Sequence, residues 1–190
     1  MTKKLYCYVD ESGADLGSRI FIVSVVVSGA DRDNLLTVCE QFEQLSKKGK
    51  FKWGKALHSR RMDYIRRVFA DPRFKGNLRY CVFQKPTNYD IATIMAIAKA
   101  VQWKKTADDY TTLVWIDGLS KTKRPEYGSE LRKLGVPTQK VQGVTKDENN
   151  SLTRLADTIA GFVRDVLDGD KGEIRQLFDE GIRREILIEV

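Results

Sequence analysis

The sequence predicts an α/β fold in which a mixed sheet of about five strands is flanked by helices. Three observations predict it. Five short apolar, β-branched runs have strand length, at Leu5 to Asp10, Ile20 to Ser28, Asn77 to Gln84, Thr111 to Asp117 and Pro137 to Val144. Longer stretches with helical apolar spacing separate most of these runs, as parallel pairing requires. The first two runs are joined by a short turn of small and polar residues, as in an antiparallel hairpin.

The elements follow in order. In the first run Tyr6, Tyr8 and Asp10 share one face, and Leu5, Cys7 and Val9 the other. The turn spans Glu11 to Gly17. The second run lacks polar alternation, which implies cover on both faces. Asp31 to Leu45 carries Leu35, Leu36, Cys39, Phe42 and Leu45 on one helical stripe. A second helix has Ser59 as candidate N-cap and Met62, Ile65, Val68 and Phe69 inward, and Asp71-Pro72 ends it. Tyr89 to Trp103 is a helix with Ile91, Ile94, Met95, Ala98 and Val101 inward. Pro125 to Leu134 is a short polar helix, and Ser151 to Leu167 an amphipathic one closed by Asp168-Gly169-Asp170. The tail adds a helix near Glu173 to Glu180 and a strand at Ile186 to Val190.

Size and composition fit one domain over residues 1–190 with a real core, since 42% of the 190 residues are hydrophobic and 31% charged. No stretch approaches the ~20 apolar residues that cross a bilayer, and no signal peptide opens the chain. Cys7, Cys39 and Cys81 are widely spaced and form no Cys-x-x-Cys pair, which argues against a disulfide framework or zinc site. A reducing cytoplasm is the expected location.

The net charge of +7 is concentrated in one place. Lys47 to Arg67 holds nine Lys or Arg and one acid, Asp63, and the rest of the chain is close to neutral. Such a patch suits a polyanionic partner, DNA or RNA, and Phe51 and Trp53 lie among its cations. Lys50, Lys52, Lys55, Arg60, Arg61 and Arg67 are the candidate phosphate contacts, and Trp53 a candidate base-stacking residue. A solvated loop anchored by its aromatics would look the same in sequence. His58, the one histidine, is a candidate proton carrier, and Lys55 a candidate cation for the scissile phosphate.

Asp10 closes the first strand and Asp117 the fourth. Ligands of open α/β sheets bind beyond the carboxyl ends of strands, so parallel neighbours would present these two acids side by side. A helical wheel puts Asp157 on the flank of the stripe formed by Leu152, Leu155, Ala156, Ile159, Val163, Val166 and Leu167, where a docked helix would offer it at the same rim. Gly161, one turn on, leaves room there. Converging carboxylates raise one another's pKa unless a cation neutralises them, and Mg²⁺ or Mn²⁺ prefers oxygen ligands. An aspartate before glycine is also a common turn device, and one early in a helix suits the macrodipole.

Tyr8-Val9-Asp10-Glu11-Ser12-Gly13 with the following apolar strand, then Val114-Trp115-Ile116-Asp117, then the helix Leu155-Ala156-Asp157-Thr158-Ile159-Ala160-Gly161, resemble in that order the domain of unknown function 3800 family. The resemblance spans roughly positions 5 to 167. It implies a ribonuclease H-like fold and an acidic, metal-dependent site. It further implies Asp10, Asp117 and Asp157 as metal ligands and catalytic acids, with Glu11 a further candidate. Ribonuclease H places a glutamate on its first long helix; Glu40 and Glu43 lie on such a helix here, and neither aligns clearly.

Two functions follow as expectations. The first is a Mg²⁺- or Mn²⁺-dependent nuclease or phosphodiesterase acting on nucleic acid. The alternative is a degenerate module that binds nucleic acid or protein through Lys47 to Arg67. No Gly-x-x-x-x-Gly-Lys-[Ser/Thr] loop or Gly-x-Ser-x-Gly elbow supports a nucleotide-binding or serine-hydrolase reading.

Overall fold

The computed structural model describes residues 2–14, 18–103, 109–145, 150–169 and 172–190. Asp15, Leu16 and Gly17 of the expected turn, and Asp170 of the expected helix closure, lie outside the described residues.

Six strands form one mixed sheet in the order β5-β4-β1-β2-β3-β6. They are β1 (Lys3–Ser12), β2 (Ile20–Ser28), β3 (Leu78–Gln84), β4 (Tyr110–Asp117), β5 (Thr138–Val144) and β6 (Leu187–Glu189). The five expected strands are present, and the short tail strand adds a sixth along β3. β1 and β2 pair antiparallel, and β1 pairs parallel with β4. Helices α1 (Arg32–Leu45), α2 (His58–Ala70), α3 (Tyr89–Gln102), α4 (Arg124–Lys133), α5 (Ser151–Leu167) and α6 (Glu173–Arg183) cover both faces. Among the described residues no helix is long and apolar enough to cross a membrane.

Strand alternation divides the core in two. Tyr8, Ile22 and Val26 point toward α1, α2, α5 and α6, where Leu35, Ile65, Leu155, Ile159 and Phe162 meet them. Cys7, Val9, Val23, Val25 and Ile116 point the other way, against Ile94, Ile97 and Val101 of α3 and Leu131 of α4. Burying each such side chain contributes about 1.5–3 kcal/mol. The largely apolar β2, whose polar residues are Ser24 and Ser28, is thus covered on both faces, as its sequence requires.

Several side chains depart from their expected faces. In α3 Ile91 and Met95 are 55% and 43% exposed, and Ala92, Thr93, Ala96 and Ala100 face the sheet instead. Small residues let α3 approach β2 closely, and they share the buried face with Ile94, Ile97 and Val101. Leu45 and Leu167, at the ends of their helices, are 60% and 42% exposed. Ser59 does not cap α2, which begins at His58 after the extended Leu57.

Helix α5 is the element that matters most for position, because it packs on β1 and β2 and carries Asp157. Asn150 caps it, accepting from the backbone N–H groups of Leu152 and Thr153, both at 3.0 Å. Ser24 Oγ of β2 donates to the Ala156 carbonyl at 2.6 Å. Arg154 is buried and donates from Nε and Nη2 to the two oxygens of buried Glu43 on α1, each at 2.7 Å. That bidentate pair fixes α5 against α1. Breaking such a pair from one side leaves a buried charge alone and costs about 3–5 kcal/mol. Arg154→Met is therefore expected to destabilise the protein by that amount in denaturant unfolding. Arg154→Met with Glu43→Leu should recover most of the loss, and no recovery would contradict a purely clamping role for the pair.

A carboxylate cluster under a lysine strap

The register of β1 and β4 runs Tyr8 to Trp115 and Val9 to Ile116, which sets Asp10 beside Asp117. Asp117 ends β4, but Asp10 does not close β1, which stays paired with β2 through Glu11 and Ser12, two residues expected in the turn. Gly118 follows Asp117 with φ +69°, the left-handed turn that takes the chain away from the sheet. Asp10 lies on the Tyr8 face and so points toward α5, where Asp157 waits on the flank of the helix. Asp10 is 9% exposed, and Asp117 and Asp157 are half-buried.

Each carboxylate has a donor. The Glu11 backbone N–H donates to Asp10 Oδ1 at 2.8 Å. Lys52 Nζ donates to Asp117 Oδ2 at 2.8 Å and stands 4.0 Å from Asp157 Oδ1. The Trp53 backbone N–H donates to Asp157 Oδ2 at 2.8 Å. Two successive residues of the basic segment therefore hold two of the three acids. Among the described residues no three carboxylates, histidines or cysteines stand at metal-holding spacing, and the Lys52 ammonium lies between Asp117 and Asp157.

The electrostatics follow from burial. Desolvation, with Asp157 and Asp117 adding like charge, pushes the Asp10 carboxyl up to about 8. Burial also raises Asp157, against the Trp53 N–H and the cations Lys52 and Lys48, which lower it. The hydrogen bond to Asp117, with the charges of all three aspartates, raises Lys52 above the ordinary lysine value despite some desolvation.

Lys52 and Trp53 are fixed by a strap, residues 48–55, that crosses α5. The Trp53 indole is 4% exposed and meets Phe162 edge-on at 5.8 Å. It lies on Gly161, where an added Cβ would come within 2.4 Å of Trp53 Cδ1. Its Nε1 donates to Asp165 Oδ2 at 2.7 Å. The Arg61 guanidinium covers the ring at 4.5 Å and pairs with Asp165 at 3.4 Å. On the other side Lys48, fully buried, donates to the Phe51 carbonyl at 2.8 Å and faces the Tyr64 ring at 5.0 Å.

This corrects two expectations. Trp53 is a buried anchor, so it does not present its ring for base stacking. Arg61 is turned inward onto that ring instead of toward solvent. Other residues keep their exposure but stand apart from the acids. Lys50, Lys55, His58 and Arg60 are exposed, and neither Lys55 nor His58 bonds to the three aspartates. Arg67 pairs with Asp63 at 2.9 Å. Glu11 points to the opposite face of the sheet from Asp10, where it accepts from Thr93 Oγ1 of α3 at 2.5 Å. Glu43 is committed to Arg154, and Glu40 is exposed. Sequence reasoning missed Asp165 and Lys48; the room at Gly161 was a usable signal, but nothing in sequence said which side chain fills it.

Since Asp10 holds its proton in the folded state well above the ordinary 3.8, the folded chain binds more protons than the unfolded chain between those values. Its contribution is thus intact at acid pH and lost as pH rises toward about 8. Asp10→Asn is expected to raise the unfolding midpoint in chelator at pH 8, by roughly 2–4 °C for each kcal/mol relieved. It should have little effect near pH 4. A midpoint at pH 8 equal to or below that of the unaltered chain would contradict this account.

No family model and no curated protein matches the sequence. Solved structures do. Ribonuclease HII, seen in a structure of its complex with PCNA from Archaeoglobus fulgidus, aligns at 17% identity and TM-score 0.50, over 94% of this chain and 89% of that one. Ribonuclease H2 from Pyrococcus horikoshii OT3 aligns at 13% identity and TM-score 0.52, over 95% and 97% of the two chains. At these identities the likeness speaks for the fold, and the six-stranded mixed sheet with its flanking helices is ribonuclease H-like.

Proposed function

We propose that the chain is a divalent-metal-dependent nuclease of the domain of unknown function 3800 type, with Asp10, Asp117 and Asp157 as ligands of Mg²⁺ or Mn²⁺. The observation that carries this reading is the meeting of three acids from β1, β4 and α5 at one rim, with Asp10 buried and short of positive charge. The donor set suits a hard cation, because every candidate ligand atom is a carboxylate oxygen. A structural role would favour fewer acids or more cations at a buried rim. The ribonuclease H-like fold agrees with the reading, and so does the chemistry of the ribonucleases that share it.

Bound metal would activate water and neutralise charge on the scissile phosphate. The chain's own contribution is positional. Trp53 N–H holds one oxygen of Asp157 and leaves the other facing the cluster. The strand register holds Asp10 beside Asp117. Lys50 and Lys55 of the strap, with Arg60 beyond it, form an exposed cationic approach suited to phosphates on either side of the cut. Glu11, held by Thr93 on the far face of the sheet, is out of reach of this site, and His58, exposed at the start of α2, remains the one sequence candidate for proton transfer.

A second reading, a binding module without catalysis, draws on Lys52, whose ammonium already neutralises part of the cluster. Cleavage assays separate the two. Purified protein with Mg²⁺ or Mn²⁺ is expected to cut DNA or RNA, and Asp10→Asn to slow it by about a thousandfold, the several kcal/mol a metal supplies. Absence of cleavage with binding intact would favour the module. On either reading, removing Lys50, Lys55 and Arg60 together should reduce the slope of log affinity against log salt by about 2–3. An unchanged slope would remove this surface from the interface.

A further inference from the structure

Resting on the metal reading above, we propose that Lys52 is an internal counter-ion which holds the place of the metal between Asp117 and Asp157 and must leave for the metal to bind. The ammonium lies 2.8 Å from Asp117 Oδ2 and 4.0 Å from Asp157 Oδ1, the space in which a cation shared by these two acids would stand. One positive charge among three aspartates is a partial substitute for two. The exchange therefore favours a divalent ion, at the cost of breaking the lysine pair.

The strap is built so that Lys52 can leave while its own backbone stays in place; the aspartate side chains, which do not stand at metal-holding spacing, then close on the ion. Its backbone is fixed on one side by Lys48 Nζ on the Phe51 carbonyl, at 2.8 Å. On the other side it is fixed by the Trp53 indole, which rests on Gly161 and donates to Asp165. Trp53 N–H keeps its bond to Asp157 Oδ2 whichever cation is present. Between these anchors the Lys52 side chain is 52% exposed, so its four-carbon stem has a direct way into solvent. No backbone rearrangement is required. Lys52 thereby keeps the acids assembled without metal and sets a threshold concentration for metal binding. A phosphate-binding lysine, as the basic segment suggests, would instead point away from the acids.

The test is Mn²⁺ binding by the full chain, read by calorimetry and by loss of the free Mn²⁺ resonance signal. Lys52→Met keeps the stem and removes the charge, and it should bind Mn²⁺ about fivefold more tightly than the unaltered chain, the upper end of what a half-exposed ion pair contributes. Lys52→Arg, which keeps the charge, should stay within about threefold of the unaltered chain. Equal or weaker Mn²⁺ binding by Lys52→Met, in a chain with an unaltered circular dichroism spectrum, overturns the proposal and leaves the metal site standing. Absence of Mn²⁺ binding in every variant removes the metal site and this proposal with it. A measurement on the unaltered chain covers the case in which Lys52→Met does not fold. Acylation of Lys52, followed by mass spectrometry, should rise several-fold when saturating Mn²⁺ is added, and an unchanged rate contradicts displacement.

Discussion

The structure depends on one electrostatic constraint, that three aspartates are gathered and partly buried at the end of a β-sheet with too little positive charge beside them. Like charges in a medium less polar than water repel strongly, and the burial of Asp10 adds a desolvation cost. A chain selected for stability alone would place an apolar or uncharged residue at this position of β1. Retaining the acid means that the rest of the site must supply compensation. It does so with backbone N–H donors from Glu11 and Trp53 and with the Lys52 ammonium.

That compensation explains the architecture around the rim. The basic segment is charged in sequence but is not simply a charged surface. Its central part packs as a hydrophobic strap, with Trp53 on the bare Gly161 backbone and Phe162 beneath. Helix α5 serves as the floor for the strap and as the carrier of Asp157, so the two are positioned by the same contacts. The buried Arg154–Glu43 pair and the Ser24 hydrogen bond hold this floor against α1 and β2. A shift of α5 would therefore displace an acid, its N–H donor and its lysine together.

Much of this could be read from the sequence, for reasons that differ by element. Asp10 and Asp117 were legible as neighbours on one face because strand alternation and the hairpin-then-crossover order set their faces and pairing, although β1 runs two residues past Asp10. Asp157 was legible because its helix has a sharp apolar stripe that leaves it on the flank. Helix α3 was less so, since it is apolar nearly all round and its buried face combines Ile94, Ile97 and Val101 with the small Ala92, Ala96 and Ala100. The strap was opaque for another reason: residues 48–55 have no period, and a tryptophan among lysines reads equally as a base-stacking surface or as an anchor. Only the tertiary notch at Gly161 decides it. The family resemblance pointed to the acids but said nothing of Lys52, which is invisible until the strap is folded over them. Glu11, adjacent to Asp10, was grouped with it by proximity, whereas the pleat sends it to the other face.

The central claim is that Asp10, Asp117 and Asp157 are jointly ligands of one divalent site. Crystals soaked in Mn²⁺ and measured near its absorption edge test this most directly. The account predicts an anomalous peak within about 2.0–2.6 Å of oxygens from all three aspartates, with the Lys52 ammonium moved away from Asp117. A peak bound elsewhere, or none at this rim with Lys52 still bridging Asp117 and Asp157, would contradict it.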